Sequence, residues 1–570
     1  MPRGRGAITS VLAALLLAQA CGPAAAAEIG EAARARDEPW DPPRIVPLEP
    51  GDVLPDPAEL EARGARVGEI LVRVHDIFDP SDPREDNWLF RTANVLHVES
   101  RPRTIRNELT FEPGERLRAQ RLEESERILR SRRYLFDAVV RVARYDPEAN
   151  VADIEVSVRD VWTLNPGVSY SNRGGRSESG FEVEELNLLG RGEKLQFSYD
   201  DDVDRRSTAI EWDDPHVGGS RWRLNLVYAD LSDGETQYAN AEQPFFSFDT
   251  RRAYGLTVLD DDRVQSRYDL GREFDAVRVG SRLAELRYGW SKGLREGWAR
   301  RWLAGFRYDE QSFAAEPGRP APAVLPPDRR YVYPWLGLEW VEDAFRKTRN
   351  RDQIGRTEDI YLGTTFRATL GYSSTAFGAR DDAWLASGAL ARGREYAPGL
   401  QWRLAATGSG RLADGRLEDA LASGELRHYW RFGRRSVLYA AVAGAVSEDL
   451  DPDRQLSIGG ENGLRGYPLR YQTGDSSMVV TLEHRVYTDW YPFRLFNVGG
   501  AVFYDGGRTW GETLGGQPPE GWLSNVGLGL RLGTSRSGLG SVLHVDFTYA
   551  LDAVPGEDRF QVTVETRQGF

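Results

Sequence analysis

Residues 459–470 read GGENGLRGYPLR, which sets one arginine, Arg465, among glycines and next but one to a tyrosine, Tyr467. A guanidinium is a planar fork of N–H donors that grips carboxylates through directional, charge-assisted hydrogen bonds. Glycines allow the tight backbone that such a loop needs. Leu464, Arg465, Gly466 and Tyr467 could thus hold a loop by gripping carboxylates, or Arg465 could be an ordinary charged residue of an external loop; neither is bond-making chemistry. The usual bond-making signatures do not occur. The six histidines lie apart with no metal-ligand spacing, and no Gly-x-Ser-x-Gly nucleophile elbow is present. The acidic runs Asp200 to Asp204 and Asp260 to Asp262 lack the spacing of a calcium loop and read as solvated turns. GLGLRLG has glycines at strand period, so it reads as sheet and not as a nucleotide loop. No catalytic residue, cofactor or metal site is expected, and the chain is not read as an enzyme.

The elements that must position Arg465 begin after a targeting segment. Arg3 and Arg5 precede the apolar AITSVLAALLLAQA, and small residues run to Ala27, the pattern of a secretory signal over residues 1–27. Cleavage after Ala20 or after Ala27 fits this pattern. The residues before Cys21 lack the leucine expected three positions upstream of a lipidated cysteine. If the signal is cut after Ala27, the single cysteine leaves with it, so no disulfide framework or thiolate metal site is expected. The net charge of −14 argues against nucleic acid as a partner.

Residues 28–66 include DEPWDPPRIVPLEPGDVLPDP and read as a proline-rich, extended linker. Residues 67–160 change character. GEILVRV alternates as a strand, RLRAQRLEESERILRSRRYLF carries Leu122, Ile128 and Leu129 as a narrow helical stripe, and DAVVRVARYD and VADIEVSVRD form a hairpin. Strand, inserted segment, helix and hairpin make one small α+β domain. From residue 161 to 570 the chain reads as strands alone. RWRLNLVYAD puts Trp222, Leu224, Leu226 and Tyr228 on one face; SVLHVDFTYA sets Leu543, Val545, Phe547 and Tyr549 against His544, Asp546 and Thr548. Mean hydropathy is −0.51, yet a sheet that is apolar outward and polar inward, with aromatic girdles, is a transmembrane β-barrel. Closure is what a bilayer demands, because an open edge leaves backbone groups unsatisfied. About twenty strand-like runs can be counted.

The barrel sequence resembles the outer-membrane assembly and translocation family that includes BamA, TamA and the two-partner secretion transporters. LNLLGRGEKLQFSYDDD and EWDDPHVGGSRWRL resemble its early strands. LSIGGENGLRGY resembles its sixth-loop motif, with Leu464, Arg465, Gly466 and Tyr467 at the core. VVTLEHRVY and GAVFYDGGRTW resemble the next two strands, which carry an inward glutamate and aspartate. The resemblance implies about sixteen antiparallel strands with five after the loop, read at about 477–488, 497–506, 521–533, 541–551 and 559–570. It further implies that the loop folds into the lumen and that Arg465 reaches Glu483 and Asp505; Asp505 is expected in phase with Phe503 only through a bulge near Gly506 and Gly507. The small domain resembles a polypeptide-transport-associated (POTRA) domain in the periplasm. One such domain, where assembly factors have several and secretion transporters two, departs from the pattern.

The expected function is an assembly factor of the bacterial outer membrane that captures unfolded clients and inserts them through a barrel seam. Pro166 and Gly167 in the first strand, and Gly569 and Phe570 at the end of the last, mark that seam. The alternative is a two-partner-secretion-like translocation pore without insertase action. Expected partners are unfolded outer-membrane or secreted proteins, the lipid bilayer and periplasmic accessory proteins, with no nucleic acid.

Overall fold

Alternation of side-chain character at period two dominates the chain, and the structure answers it with sheet. The computed structural model describes residues 40–47 and 53–567, apart from residues 84, 174–175, 355, 434, 493–494, 517–518, 520, 535, 539–541 and 553–557. The signal read over 1–27 lies outside the described residues.

The N-terminal unit is a three-stranded sheet in which Val151–Asp160 is central. It pairs in parallel with Arg66–His75 and antiparallel with Leu135–Asp146. Ile154, Val156 and Val158 point to one face and are fully buried against the helix Ala119–Ser131, whose Leu122 and Leu129 are buried with them. The inserted segment supplies two short helices, Trp88–Leu96 and Pro102–Asn107. The proline-rich stretch is not extended throughout. Pro57 opens a short helix, Pro57–Ala62, capped by the Asp56 carboxylate, because proline at the first helical position forfeits only an N–H that has no partner there. Residues 40–47 lie across the sheet's other face: Arg44 donates to the Val142 carbonyl (3.0 Å), and the Ile45 N–H donates to Glu155 (2.9 Å).

Twenty described strands, all antiparallel, close into one barrel from Leu164–Arg173 to Phe560–Arg567. The implied sixteen is corrected to twenty. The strand-like runs counted in the sequence pair in succession around the barrel, so twenty of them are wall strands. Fifteen precede the loop that holds Arg465 and five follow it, at Ser476–Tyr487, Phe496–Trp510, Leu523–Thr534, Val542–Ala550 and Phe560–Arg567. The extra four therefore stand before the loop. Some strands are tall: Arg272–Arg295 has 24 residues, about 80 Å of strand at ~3.3 Å per residue, against an apolar band roughly 25 Å high. Outward residues on it such as Leu286, Tyr288 and Trp290 are exposed to the lipid side. Asp260 to Asp262 lie inside the strand Arg252–Asp269 and not in a turn; Asp261 is buried and accepts from Thr236 (2.6 Å).

A barrel of this many strands is wide, since diameter grows with strand number, and its lumen must be filled or stay open. The N-terminal unit sits at one end, the proximal mouth. There Arg118 and Arg121 reach Asp249 (3.2 and 3.0 Å), and Glu108 takes Arg132 at 2.5 Å and faces His216 of a barrel turn at 3.3 Å.

Candidate functional site: the lumenal loop and its carboxylates

The connection 449–475 leaves the strand Ser436–Glu448 at the distal end and folds back into the lumen. Four apolar side chains hold it there. Ile458, Leu464, Tyr467 and Tyr471 are buried together with Val479, Leu523 and Ala550 of the wall. Charged anchors hold its flanks: Arg329 with Asp453 (2.7 Å), Arg411 with Asp451 (2.5 Å) and Arg470 with Asp204 (2.9 Å). Asp204 therefore binds the loop and is not a solvated turn residue.

Arg465 sits at the tip of this fold-back. Its Nε and Nη2 donate to the two oxygens of Asp505, each at 2.9 Å, and its Nη1 donates to Glu483 Oε2 at 3.2 Å. The guanidinium lies over the Phe503 ring, 3.3 Å from its centroid. Asp505 and Phe503 both face inward because residues two apart on a strand share a face. The ladders on either side of Phe496–Trp510 run without a register shift, so the expected bulge is corrected away. Asp505 is fully buried and satisfied further by Thr481 (3.0 Å) and Asn525 (2.9 Å).

The loop backbone is read as closely as its side chain. The Gly466 N–H donates to Asn525 Oδ1 (3.2 Å), and its carbonyl accepts from Gln561 (2.9 Å). A Cβ on Gly466 would stand 2.6 Å from the Asn525 Cβ, so only glycine lets the loop approach this wall. The Tyr467 hydroxyl donates to the Ser524 carbonyl at 3.0 Å. Leu464, Arg465, Gly466, Tyr467, Glu483 and Asp505 are thus brought into one place.

Three further charged residues complete the site and were not singled out in the sequence. Asp546 lies 3.7 Å from Arg465 and 2.5 Å from Arg531; Arg485 donates to Glu483 at 3.0 Å. Three arginines and three carboxylates make a neutral buried network, which is how charge survives away from water. The signal that could have found them was their phase: each is a charge on the polar side of an alternating strand, like Asp546 in SVLHVDFTYA.

Pro166 and Gly167 are elsewhere, near the start of the first barrel strand, where they pair with Val183 and Glu182. Among the described residues, the first and last strands meet through three residue pairs, Asn172–Val562, Ser171–Thr563 and Tyr170–Val564. Gly569 and Phe570 lie outside the described residues.

Residues 187–567 match the Omp85 superfamily domain. The chain belongs to the Omp85 superfamily. Omp85 proteins are outer-membrane barrels that serve in assembly and transport and are not enzymes. Among solved structures, this Omp85 chain is similar to BamA from Haemophilus ducreyi lacking POTRA domains 1–3, at 13% identity over 87% of this chain and 84% of that one, with a TM-score of 0.38. CdiB from Acinetobacter baumannii matches at 12% identity over 88% and 73%, TM-score 0.41, and CdiB from Escherichia coli at 13% over 89% and 77%, TM-score 0.43. These likenesses are remote, and the family membership rests on the match over 187–567. A search of curated proteins finds no match.

Proposed function

We propose that this Omp85 protein is an assembly factor. Residues 67–160 act as a POTRA-like domain in the periplasm, following a signal peptide over 1–27 and the segment 28–66. The sheet order leaves Arg66–His75 and Leu135–Asp146 as its edge strands, and an edge can take an unfolded client by adding a strand. The client then enters the bilayer at the seam between the first and last barrel strands.

The observation that carries this reading is the weakness of that seam. Among the described residues, three pairs join the strands there, against ten between the first and second strands and eight between the last two. A sheet that must open somewhere opens where the fewest backbone hydrogen bonds are lost. The alternative, a translocation pore, would have to move the loop 449–475 aside before a client could pass through the lumen. In the test, purified protein in liposomes is given a urea-unfolded barrel client, and folding is followed by gel mobility. Wild type should accelerate folding over empty liposomes, and Arg465→Ala should lose the acceleration. No acceleration, together with steady ion conductance, would instead support the pore.

A further inference from the structure

The connection between the strands Arg329–Glu342 and Thr364–Ser373 is longer than closure requires. At the same end of the barrel, residues 296–297 and 398–399 each join two strands with a two-residue turn. Residues 343–363 instead build a second small sheet, in which Phe345–Arg349 pairs antiparallel with Thr357–Tyr361. This hairpin does not project away from the barrel. Its tip enters the proximal mouth and packs on lumenal residues from five strands.

Ile354 is buried at the tip with Tyr429, Val437, Tyr439, Ala441, Tyr487 and Val542. The Tyr487 hydroxyl donates to the Arg351 carbonyl (2.8 Å), Asn497 donates to the Ile354 carbonyl (2.9 Å), and the Arg351 guanidinium lies 4.1 Å from the Tyr429 ring centroid. Arg485 donates to the Arg351 carbonyl (3.4 Å) and faces Asp352 at 3.6 Å. The same Arg485 holds Glu483 Oε1, whose other oxygen holds Arg465. A loop from the distal end and a hairpin from the proximal end therefore meet on one glutamate.

The base of the hairpin is fastened to the N-terminal unit. Arg130 grips Asp359 with two hydrogen bonds (2.6 and 2.8 Å), Lys347 pairs with Glu126, Thr357 donates to Asp137 (2.7 Å), and Arg356 donates to the Leu135 carbonyl (2.6 Å). Just before it, Asp343 takes Arg127 (3.0 Å) and Gln120 (2.8 Å). Arg130, Glu126 and Asp137 are buried in these contacts, so the set holds while the N-terminal unit is docked and is lost together when that unit moves away.

We propose that the hairpin 345–361 is a second, inner plug of the lumen, latched by the helix Ala119–Ser131, so that movement of the N-terminal unit and opening of the proximal mouth are one event. Latch and plug are distinct parts: the tip seals against the wall, and the base reports the position of the N-terminal unit. The device works equally in an insertase and in a pore, since both must keep the membrane tight at rest.

Conductance of the full-length protein in planar bilayers tests this. A variant in which residues 345–361 are replaced by a short turn should conduct steadily, several-fold above wild type. The Ile354 Cβ stands 3.1 Å from where a Cβ on Gly533 would lie, so Ile354→Cys with Gly533→Cys needs only a small shift to reach disulfide geometry. Oxidised, this variant should be silent; reduced, it should return to wild-type events. Glu126→Gln with Asp359→Asn should open more often at unchanged unitary conductance. A folded hairpin-less barrel that conducts like wild type, or an oxidised variant with undiminished openings, overturns the plug. An unchanged opening frequency in the double latch variant overturns the latch. If the shortened barrel fails to fold, the disulfide variant decides alone.

Discussion

Arg465 shows how one side chain can determine where a whole loop lies. It is 7% exposed, and its partners Asp505 and Glu483 are 0% and 5% exposed, so the network is largely shielded from bulk water. Removing one member of such a set leaves uncompensated buried charge, at a cost of about 3–5 kcal/mol. Arg465→Ala is predicted to lower the temperature at which the folded barrel is lost on semi-native gels and to expose the loop to trypsin at Arg470. Arg465→Lys should rescue little, because a single ammonium cannot span both Asp505 oxygens and Glu483. Gly466→Ala keeps every charge and tests the backbone alone. Its Cβ meets Asn525, so about 1–3 kcal/mol of overpacking is expected on the same gel assay.

Among the elements, the first and last strands matter most. The ladder Leu164–Arg173 to Arg176–Glu185 uses the full first strand on one side, while on the other the last strand pairs, among the described residues, with 170–172. The lower part of the first strand, with Pro166 and Gly167, forms no ladder with Phe560–Arg567 among the described residues. Ser171 and Thr563 are backbone partners, so cysteines at these two positions can join the strands. Oxidised Ser171→Cys with Thr563→Cys is predicted to abolish acceleration of client folding, with recovery on reduction; undiminished acceleration in the oxidised form would remove the seam from the mechanism.

At the scale of the whole molecule, the N-terminal unit is held at the proximal mouth by ion pairs such as Arg130 with Asp359 and Arg127 with Asp343. Burial alone would raise the Glu108 carboxyl, but Arg132 and His216 outweigh that and hold it below its ordinary range. Arg132 lies in the same unit as Glu108, so the part of this lowering tied to docking is the His216 contact, which favours docking while the carboxyl is ionised and is lost as pH falls through the docked value. Spin labels at Glu112→Cys and Val217→Cys should report one distance from neutral pH down to the ordinary carboxylate range and a broadened one below it. Glu108→Gln should broaden the distance already at neutral pH and flatten the pH response. That the loop turns inward was implied by the family resemblance of its Leu464-Arg465-Gly466-Tyr467 motif; the alternation of runs such as RWRLNLVYAD and SVLHVDFTYA was enough by itself for a barrel with five strands after the loop. This is because period two and backbone freedom are local properties of the chain. Strand number was already visible as about twenty runs, but whether each run is wall or extension depends on which neighbour it pairs with, and only closure decides that. The hairpin 345–361, the third carboxylate Asp546 and the bridge through Arg485 were decided by tertiary structure alone. Each joins residues far apart in sequence across a lumen, and no local periodicity encodes which charges will face one another there.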